Sequence, residues 1–285
     1  SIAAQVNPTL QNYERDRIER TRPDNFNAWE TYLKAVHFLN NRNASDHEDP
    51  ALTQARQLCE EAIQLDDSMS VAHSLLAEIA RCELLQFSGK DSNETLEEIL
   101  TSSKKAAELD SKNPEAAVKT ATYHFFKGNF EQAQQYCERA IDLNPSYPDA
   151  YYTLGHALAH SGQYAESEEP FQQAIDLNPL DHGVEYRSGL YFSKLGVGDY
   201  EAALAIIDQC LAQFPNWGLY RGFKAAVMGY LEKGDEAKQA LDDYLTLRPN
   251  LKTREDFIKI FVPNSALANI LIEGLIKAGW QPEEV

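Results

Sequence analysis

The chain has 285 residues, and its 44 acidic against 26 basic side chains give a formal net charge of −18. A surface this acidic repels phosphate backbones and anionic lipid, so nucleic acid and membrane surfaces are poor partners. No apolar run approaches the roughly 18 residues that a membrane-spanning helix needs, and no signal peptide is visible. The four cysteines suit core thiols better than a disulfide scaffold, with a Cys59–Cys82 bridge and an oxidising compartment as the alternative.

The first 25 residues are predicted to hold an N-terminal helix and a linker. The helix covers the charged residues 9–20, and Pro23 lies in the break that follows it. The chain starts at Ser1 rather than at a methionine. A fragment of a longer protein would start in this way, and so would a processed mature chain.

Two long helical pairs are predicted next, over residues 26–69 and 70–113. Each pair has a polar insertion between its two helices, at residues 40–50 in the first pair and near residues 87–94 in the second. Polar stretches of this kind are typical of loops. Both pairs are therefore interpreted as expanded versions of the unit that follows.

The middle of the chain contains the same pattern twice. Residues 114–147 and 148–181, aligned without a gap, are identical at nine of 34 positions, including a closing Ala-Ile-Asp-Leu-Asn-Pro. A 34-residue period predicts helix–turn–helix repeats, which bury their apolar faces by stacking on one another. In the second copy, Gly162 is expected to end the first helix and Pro179 to stop the second.

Two further repeats and a helical end complete the chain. Residues 182–217 form a fifth repeat, and residues 218–251 form a weaker sixth. Residues 252–285 are predicted to be capping helices, with one helix over residues 264–279 that Gly279 ends. Because the apolar residues of this helix follow helical spacing, we expect it to cover the open face of the last repeat.

The recurring residues resemble the signature of the tetratricopeptide repeat (TPR) family. In the order of that signature they are Tyr151, Leu154, Gly155, Leu158, Tyr164, Phe171, Ala174 and Pro179. The resemblance implies an all-α fold, a right-handed superhelical solenoid of about six helix–turn–helix repeats over residues 26–251.

The resemblance also implies a partner-binding groove, because the first helix of each TPR repeat lines an inner surface. Its positions in this chain are Phe125, Phe126, Tyr152, His156, His160, Tyr186, Arg187, Leu190, Lys194, Phe223 and Tyr230. Earlier repeats add Glu30, Lys34, His37, Phe38, Ser74, Glu78, Arg81, Val118 and Thr122. Aromatic rings beside histidine, arginine and lysine favour a peptide or an acidic tail as ligand, with packing between repeats as the alternative role of the rings. TPR members that bind chaperone tails use a clamp of lysine and asparagine residues. In this chain Glu30 and Glu78 stand at positions of that clamp, which disfavours a chaperone tail as partner.

The sequence contains few features of a catalytic or metal-binding site. His156 and His160 stand four residues apart on one predicted helix, a spacing that metal sites use, but no third ligand lies nearby. No phosphate-binding glycine loop, nucleophile elbow or paired catalytic carboxylate is visible. We therefore expect no metal, no cofactor and no catalytic activity of this chain.

The order of expanded and regular repeats resembles a smaller group of proteins within the TPR family. The opening Ala-Trp-Glu-Thr-Tyr-Leu-Lys-Ala (28–35), two expanded and then regular repeats, and the closing Glu-Gly-Leu-Ile-Lys-Ala-Gly (273–279) form one ordered pattern. It is similar to the C-terminal TPR region of bacterial adenylate/guanylate cyclases and of membrane-anchored winged-helix transcriptional regulators. The first implies a cytoplasmic regulatory region with an attached output domain, which we favour. The second implies a periplasmic sensor. A free-standing adaptor is a third interpretation, and homodimerisation through the end helices is open.

Overall fold

The computed structural model describes residues 25–41, 49–85, 92–179, 183–215, 217–260 and 262–284. The predicted helix over residues 9–20 and most of both predicted insertions lie outside these ranges. Within them, every element is an α-helix apart from one isolated bridge between Thr253 and Glu283. The predicted all-α class is confirmed.

The helices occur in pairs along the chain. They are α1 (Phe26–Asn40), α2 (Pro50–Leu65), α3 (Ser70–Leu85), α4 (Ser92–Leu109), α5 (Pro114–Phe126), α6 (Phe130–Leu143), α7 (Pro148–His160), α8 (Tyr164–Leu177), α9 (Gly183–Val197), α10 (Tyr200–Gln213), α11 (Gly218–Tyr230), α12 (Asp235–Leu247), α13 (Arg254–Ile260) and α14 (Ala266–Lys277). One boundary differs from expectation, because Ser92 to Glu94 form the first turn of α4 rather than a loop. An acidic side chain such as Glu94 stabilises the N-terminal turn of a helix.

The chain forms two compact units. Among the described residues, the first unit holds those up to 123 together with 138–147, and the second holds 124–137 together with those from 148 onward. In the first unit, α1 packs on α2, α2 on α3, and α3 on α4. In the second, α7 to α12 pack in the same consecutive way, so each helical pair stacks on the next.

The turn between α7 and α8 contains a glycine at the position that the sequence predicted. Gly162 adopts a φ of +93°, in the left-handed region that glycine enters without a steric penalty. The backbone N–H of the next residue, Gln163, donates to the carbonyl of Leu158 at 2.9 Å and closes the end of α7. The chain then reverses into α8.

One phenylalanine determines the spacing of neighbouring pairs in the second unit. Phe171 of α8 is fully buried. A Cβ added to Gly155 of α7 would lie 2.7 Å from its ring, and one added to Gly189 of α9 would lie 2.2 Å away. The ring therefore occupies space that exists only because both neighbours are glycine.

Partly buried ion pairs connect the helices of the first unit. Arg56 of α2 donates to Glu83 of α3 at 2.6 Å and to Glu98 of α4 at 2.6 Å. Glu78 of α3 accepts from Lys119 of α5 at 2.6 Å and pairs with Arg81 on its own helix. The charge of Glu78 is thus neutralised by the protein.

All four cysteines are buried and carry reduced thiols. Cys59 donates to the carbonyl of Ala72 at 3.2 Å, and burial raises its pKa to about 12. Burial likewise raises the pKa of the Cys210 thiol to about 11. The expectation of core thiols is confirmed, and the alternative bridge between Cys59 and Cys82 is not formed.

Candidate partner-binding surface

The candidate surface lies on the second unit, where α7, α9 and α11 are the first helices of successive pairs. We call the side formed by these helices and the last turn of α5 the first-helix face. All eleven residues predicted for the groove lie in these helices. The distances between their side chains show which of them form one site.

Phe125, Tyr152, His156, His160, Tyr186 and Phe192 form a continuous group, the aromatic–histidine cluster. The ring of Phe125 lies 4.9 Å from that of His160, and the ring of Tyr152 lies 4.5 Å from that of His156. Tyr152 also lies 5.1 Å from Tyr186, which joins α7 to α9. Such offset and edge-to-face contacts hold the rings in fixed orientations.

Phe192 is the member of the cluster that the groove positions of the sequence did not include. Its ring lies 5.6 Å from that of His156 and 5.5 Å from that of His160. In the sequence, Phe192 stands out only as one of the residues that mark the fifth repeat. Its contacts with two side chains of α7 depend on how α9 packs against that helix.

The predicted site residues differ in accessibility. Phe125, Phe126, Tyr152, His156, Arg187, Leu190, Lys194 and Tyr230 are half-buried, whereas His160, Tyr186 and Phe223 are buried. The hydroxyl of Tyr186 donates to Asp149 at 2.6 Å. Phe223 stacks on Tyr191 at a centroid distance of 5.2 Å. The three buried side chains therefore support the surface from below, and the eight half-buried side chains are the ones that a ligand can contact.

The two predicted cations of α9 interact with second helices of the pairs. Lys194 donates to Glu168 of α8 at 2.7 Å, so its charge is already paired. Arg187 lies close enough to Cys210 of α10 to oppose the rise of the pKa of that thiol. The ion pair of Lys194 weakens the argument for an acidic tail as ligand.

His160 is the most enclosed titratable group of the cluster. Burial, and to a smaller extent the neighbouring His156, lower the pKa of His160 well below its ordinary value. Its Nδ1 lies 2.9 Å from the hydroxyl of Ser265, which immediately precedes α14. A neutral imidazole in this position joins the cluster to the C-terminal helix.

Helix α14 lies on the first-helix face rather than only against the last pair. Its main neighbour is α11, and it also contacts α9 and α7. Leu267, Leu271 and Leu275, spaced by four, are almost completely buried. The apolar spacing of α14 predicted that the helix is buried. Its extension across three first helices was not predicted.

The helix crosses α11 at very short range. A Cβ added to Gly274 would lie 2.6 Å from the carbonyl oxygen of Ala226, and one added to Gly229 would lie 2.1 Å from the carbonyl oxygen of Gly274. The hydroxyl of Tyr230 donates to the carbonyl of Ile270 at 2.9 Å. Part of the first-helix face is therefore occupied by the chain itself.

The described residues contain no group of three or more side chains suited to a metal ion. None of the helices in the described ranges is long and apolar enough to cross a membrane.

Residues 118–182 match the model of the tetratricopeptide repeat family. This segment contains Phe125, Tyr152, His156 and His160 of the cluster. The chain has no significant match among curated protein sequences.

Solved structures share the fold. TTC0263, a TPR protein from Thermus thermophilus, is similar over 70% of this chain and 98% of its own, with 19% identity and a TM-score of 0.54. A chain of the APC/C hetero-tetramer Cut9–Hcn1 matches over 95% of this chain and 46% of its own length, with 17% identity and a TM-score of 0.64. PilF from Pseudomonas aeruginosa matches over 78% and 92%, with 17% identity and a TM-score of 0.51. The chain therefore has a helical-repeat fold of the TPR type, and its residues 118–182 match the tetratricopeptide repeat family.

Proposed function

We propose that this chain is a non-catalytic binding module and that the first-helix face of its second unit holds a peptide or protein segment. The observation that supports this most is the aromatic–histidine cluster, because aromatic side chains such as tyrosine are enriched among the residues that contribute most to binding at protein interfaces. The cluster lies largely within the segment that matches the TPR family. Binding then uses Phe125, Tyr152 and His156 as the contact surface.

The geometry of the cluster lowers the entropic penalty of binding. The rings of Tyr152, His156 and Phe125 already contact one another, so few rotamers are lost when a ligand covers them. Lys194 is paired with Glu168, so an acidic ligand would have to compete for it. A partner segment with apolar side chains fits this surface better than an acidic tail.

Affinity measurements with selected peptides test the proposal. Peptides that bind the full chain are selected from a random library, and their affinities are then measured for the wild type and for Tyr152→Ala. We expect Tyr152→Ala to weaken binding by more than about 1 kcal/mol, which is more than about fivefold. The control is Gln172→Ala on the exposed side of α8, which should leave affinity unchanged. Equal affinities for the wild type and Tyr152→Ala would exclude the cluster as the site.

We further propose that the module is the regulatory C-terminal region of a bacterial multidomain signalling protein, such as a cytoplasmic adenylate/guanylate cyclase. The order of expanded and regular repeats supports this, as does the closing Glu-Gly-Leu-Ile-Lys-Ala-Gly at residues 273–279. The reading frame upstream of Ser1 tests it. A catalytic domain with paired metal-binding aspartates is the expected result. A winged-helix segment followed by an apolar span would instead indicate a periplasmic sensor, and a start codon would indicate an adaptor.

A further inference from the structure

The position of α14 indicates what kind of ligand the first-helix face accepts. We propose that this face is a receptor for an α-helix, that α14 is its resident occupant, and that a partner binds by presenting a helix that replaces α14. This inference rests on the proposed binding function and specifies its partner class. The partner helix carries apolar residues spaced by four and a glycine at the place of Gly274.

The first reason is the crossing of α14 and α11. Gly274 faces the carbonyl of Ala226 with no room for a Cβ, and Gly229 faces the carbonyl of Gly274 in the same way. Two helical backbones meet here directly. An extended peptide does not reproduce this contact, and a helix with a larger residue in this place is excluded by the carbonyl oxygen of Ala226.

The second reason is that the face recognises the backbone of a helix. The hydroxyl of Tyr230 donates to the carbonyl of Ile270, a main-chain group that any helix presents. The ring of Tyr230 is held by parallel stacking on Tyr200 at 4.4 Å. The ammonium group of Lys277 lies 5.7 Å from the centroid of the same ring. Only the last of these contacts depends on the side chain of the occupant.

The third reason is that α14 is joined to the aromatic–histidine cluster at its start, whereas the segment that follows its end packs on α13 through the buried rings of Phe257 and Trp280, which lie 6.1 Å apart. Ser265 contacts His160 of the cluster, so a ligand on the cluster adjoins the start of α14. Arg254 of α13 pairs with Glu273 at 3.2 Å, with both side chains about half exposed. Exposed ion pairs of this kind contribute little. The attachment of α14 itself therefore depends mainly on its buried apolar side, which a partner helix of the same pattern would reproduce.

Replacement is tested with a labelled peptide and a reversible crosslink. The probe is a dye-labelled peptide with the sequence of residues 262–280, added to the full chain. The crosslink is the double variant Gly162→Cys and Ala266→Cys, because a Cβ on Gly162 would lie 3.6 Å from the Cβ of Ala266. This distance suits a disulfide. A cysteine at the positive φ of position 162 is strained, so the double variant is used once its unfolding curve shows that it is folded. The native thiols are buried and do not compete.

We expect the peptide to bind the wild type and the reduced double variant, and to bind the oxidised variant at least about tenfold more weakly. A peptide with Gly274→Leu should bind none of them. No binding to the wild type at about millimolar peptide, equal binding to the oxidised form, or equal binding of the Gly274→Leu peptide would each overturn the inference.

Hydrogen exchange of the wild type provides a second measurement, which does not depend on the folding of the double variant. Unlabelled peptide in excess should accelerate exchange of the α14 amides while those of α11 stay protected. Unchanged exchange in α14 at saturating peptide would also overturn the inference. If peptides from the random library still depend on Tyr152 in that case, the proposed function stands and only the helix-exchange inference fails.

Discussion

The hydroxyl of Ser265 lies 2.9 Å from Nδ1 of His160, although 105 positions separate the two residues in the chain. The contact encloses a histidine whose pKa is lowered mainly by burial. The unfolded chain then binds a proton more readily than the folded one. Stability from this group is present above the unfolded pKa, near about 6.5, and is lost as the pH falls toward the lower folded pKa.

We predict that the free energy of unfolding of the wild type falls between pH 7 and pH 5 more steeply than that of His160→Gln. One fully affected histidine changes the free energy by up to about 1.4 kcal/mol per pH unit. Denaturant titrations at several pH values measure this difference. Parallel pH profiles for the two proteins would show that folding does not shift the pKa of His160.

Gly189→Ala should destabilise the second unit by about 1–3 kcal/mol, because the added methyl group overlaps the ring of Phe171. Phe171→Leu removes the ring and creates space for that methyl group. Combining the two substitutions should therefore give a smaller loss than the sum of the single losses. Denaturant unfolding of the three variants tests this, and strict additivity would mean that residues 171 and 189 do not share the space.

Glu78→Ala should destabilise the first unit by about 3–5 kcal/mol, because it leaves the buried Lys119 and the half-buried Arg81 without their carboxylate. Burial alone would raise the pKa of Glu78, but the two cations outweigh it and hold the pKa well below its ordinary value. The stabilisation is therefore present above about pH 4.3 and is lost as the pH falls further.

The matched control for Glu78→Ala is Glu30→Ala. Glu30 pairs with Lys34 on the exposed side of α1, where solvent screens the pair. The control should unfold at the denaturant concentration of the wild type. Equal losses for the two variants would argue against the buried network as the source of the effect.

Tyr230→Phe should weaken the attachment of α14 by about 0.5–1.5 kcal/mol, the usual contribution of one hydrogen bond. The ring keeps its stacking on Tyr200, so only the bond to the carbonyl of Ile270 is removed. Amide exchange in α14 should become several-fold faster, while exchange in α9 should be unaffected. Unchanged rates in α14 would indicate that this bond contributes nothing to its attachment.

The sequence was sufficient to predict the helical pairs, because the determinants of each pair are local. Nine identities over 34 residues reveal the period, and the glycine at position 162 marks the turn. The spacing of Leu267, Leu271 and Leu275 also predicts that α14 has a buried side. Local patterns carry this information because they reflect helix geometry alone.

The sequence could not predict which side chains of the site are buried or paired. The repeat register places His160 and Lys194 on the first-helix face, but the burial of His160 depends on Ser265, and the pairing of Lys194 depends on Glu168. Helical spacing shows that α14 needs an apolar partner without indicating which helix provides it. These contacts arise from tertiary packing between distant segments.

The contact of His160 with Ser265 has a consequence for how the protein folds. Helical repeats ordinarily contact only their neighbours, so they can fold progressively as the ribosome releases them. Here the contact order is raised, since His160 of the fourth repeat reaches its final contact only when a segment 105 positions later has been synthesised. The second unit should therefore complete its folding late in synthesis, in one cooperative step rather than repeat by repeat.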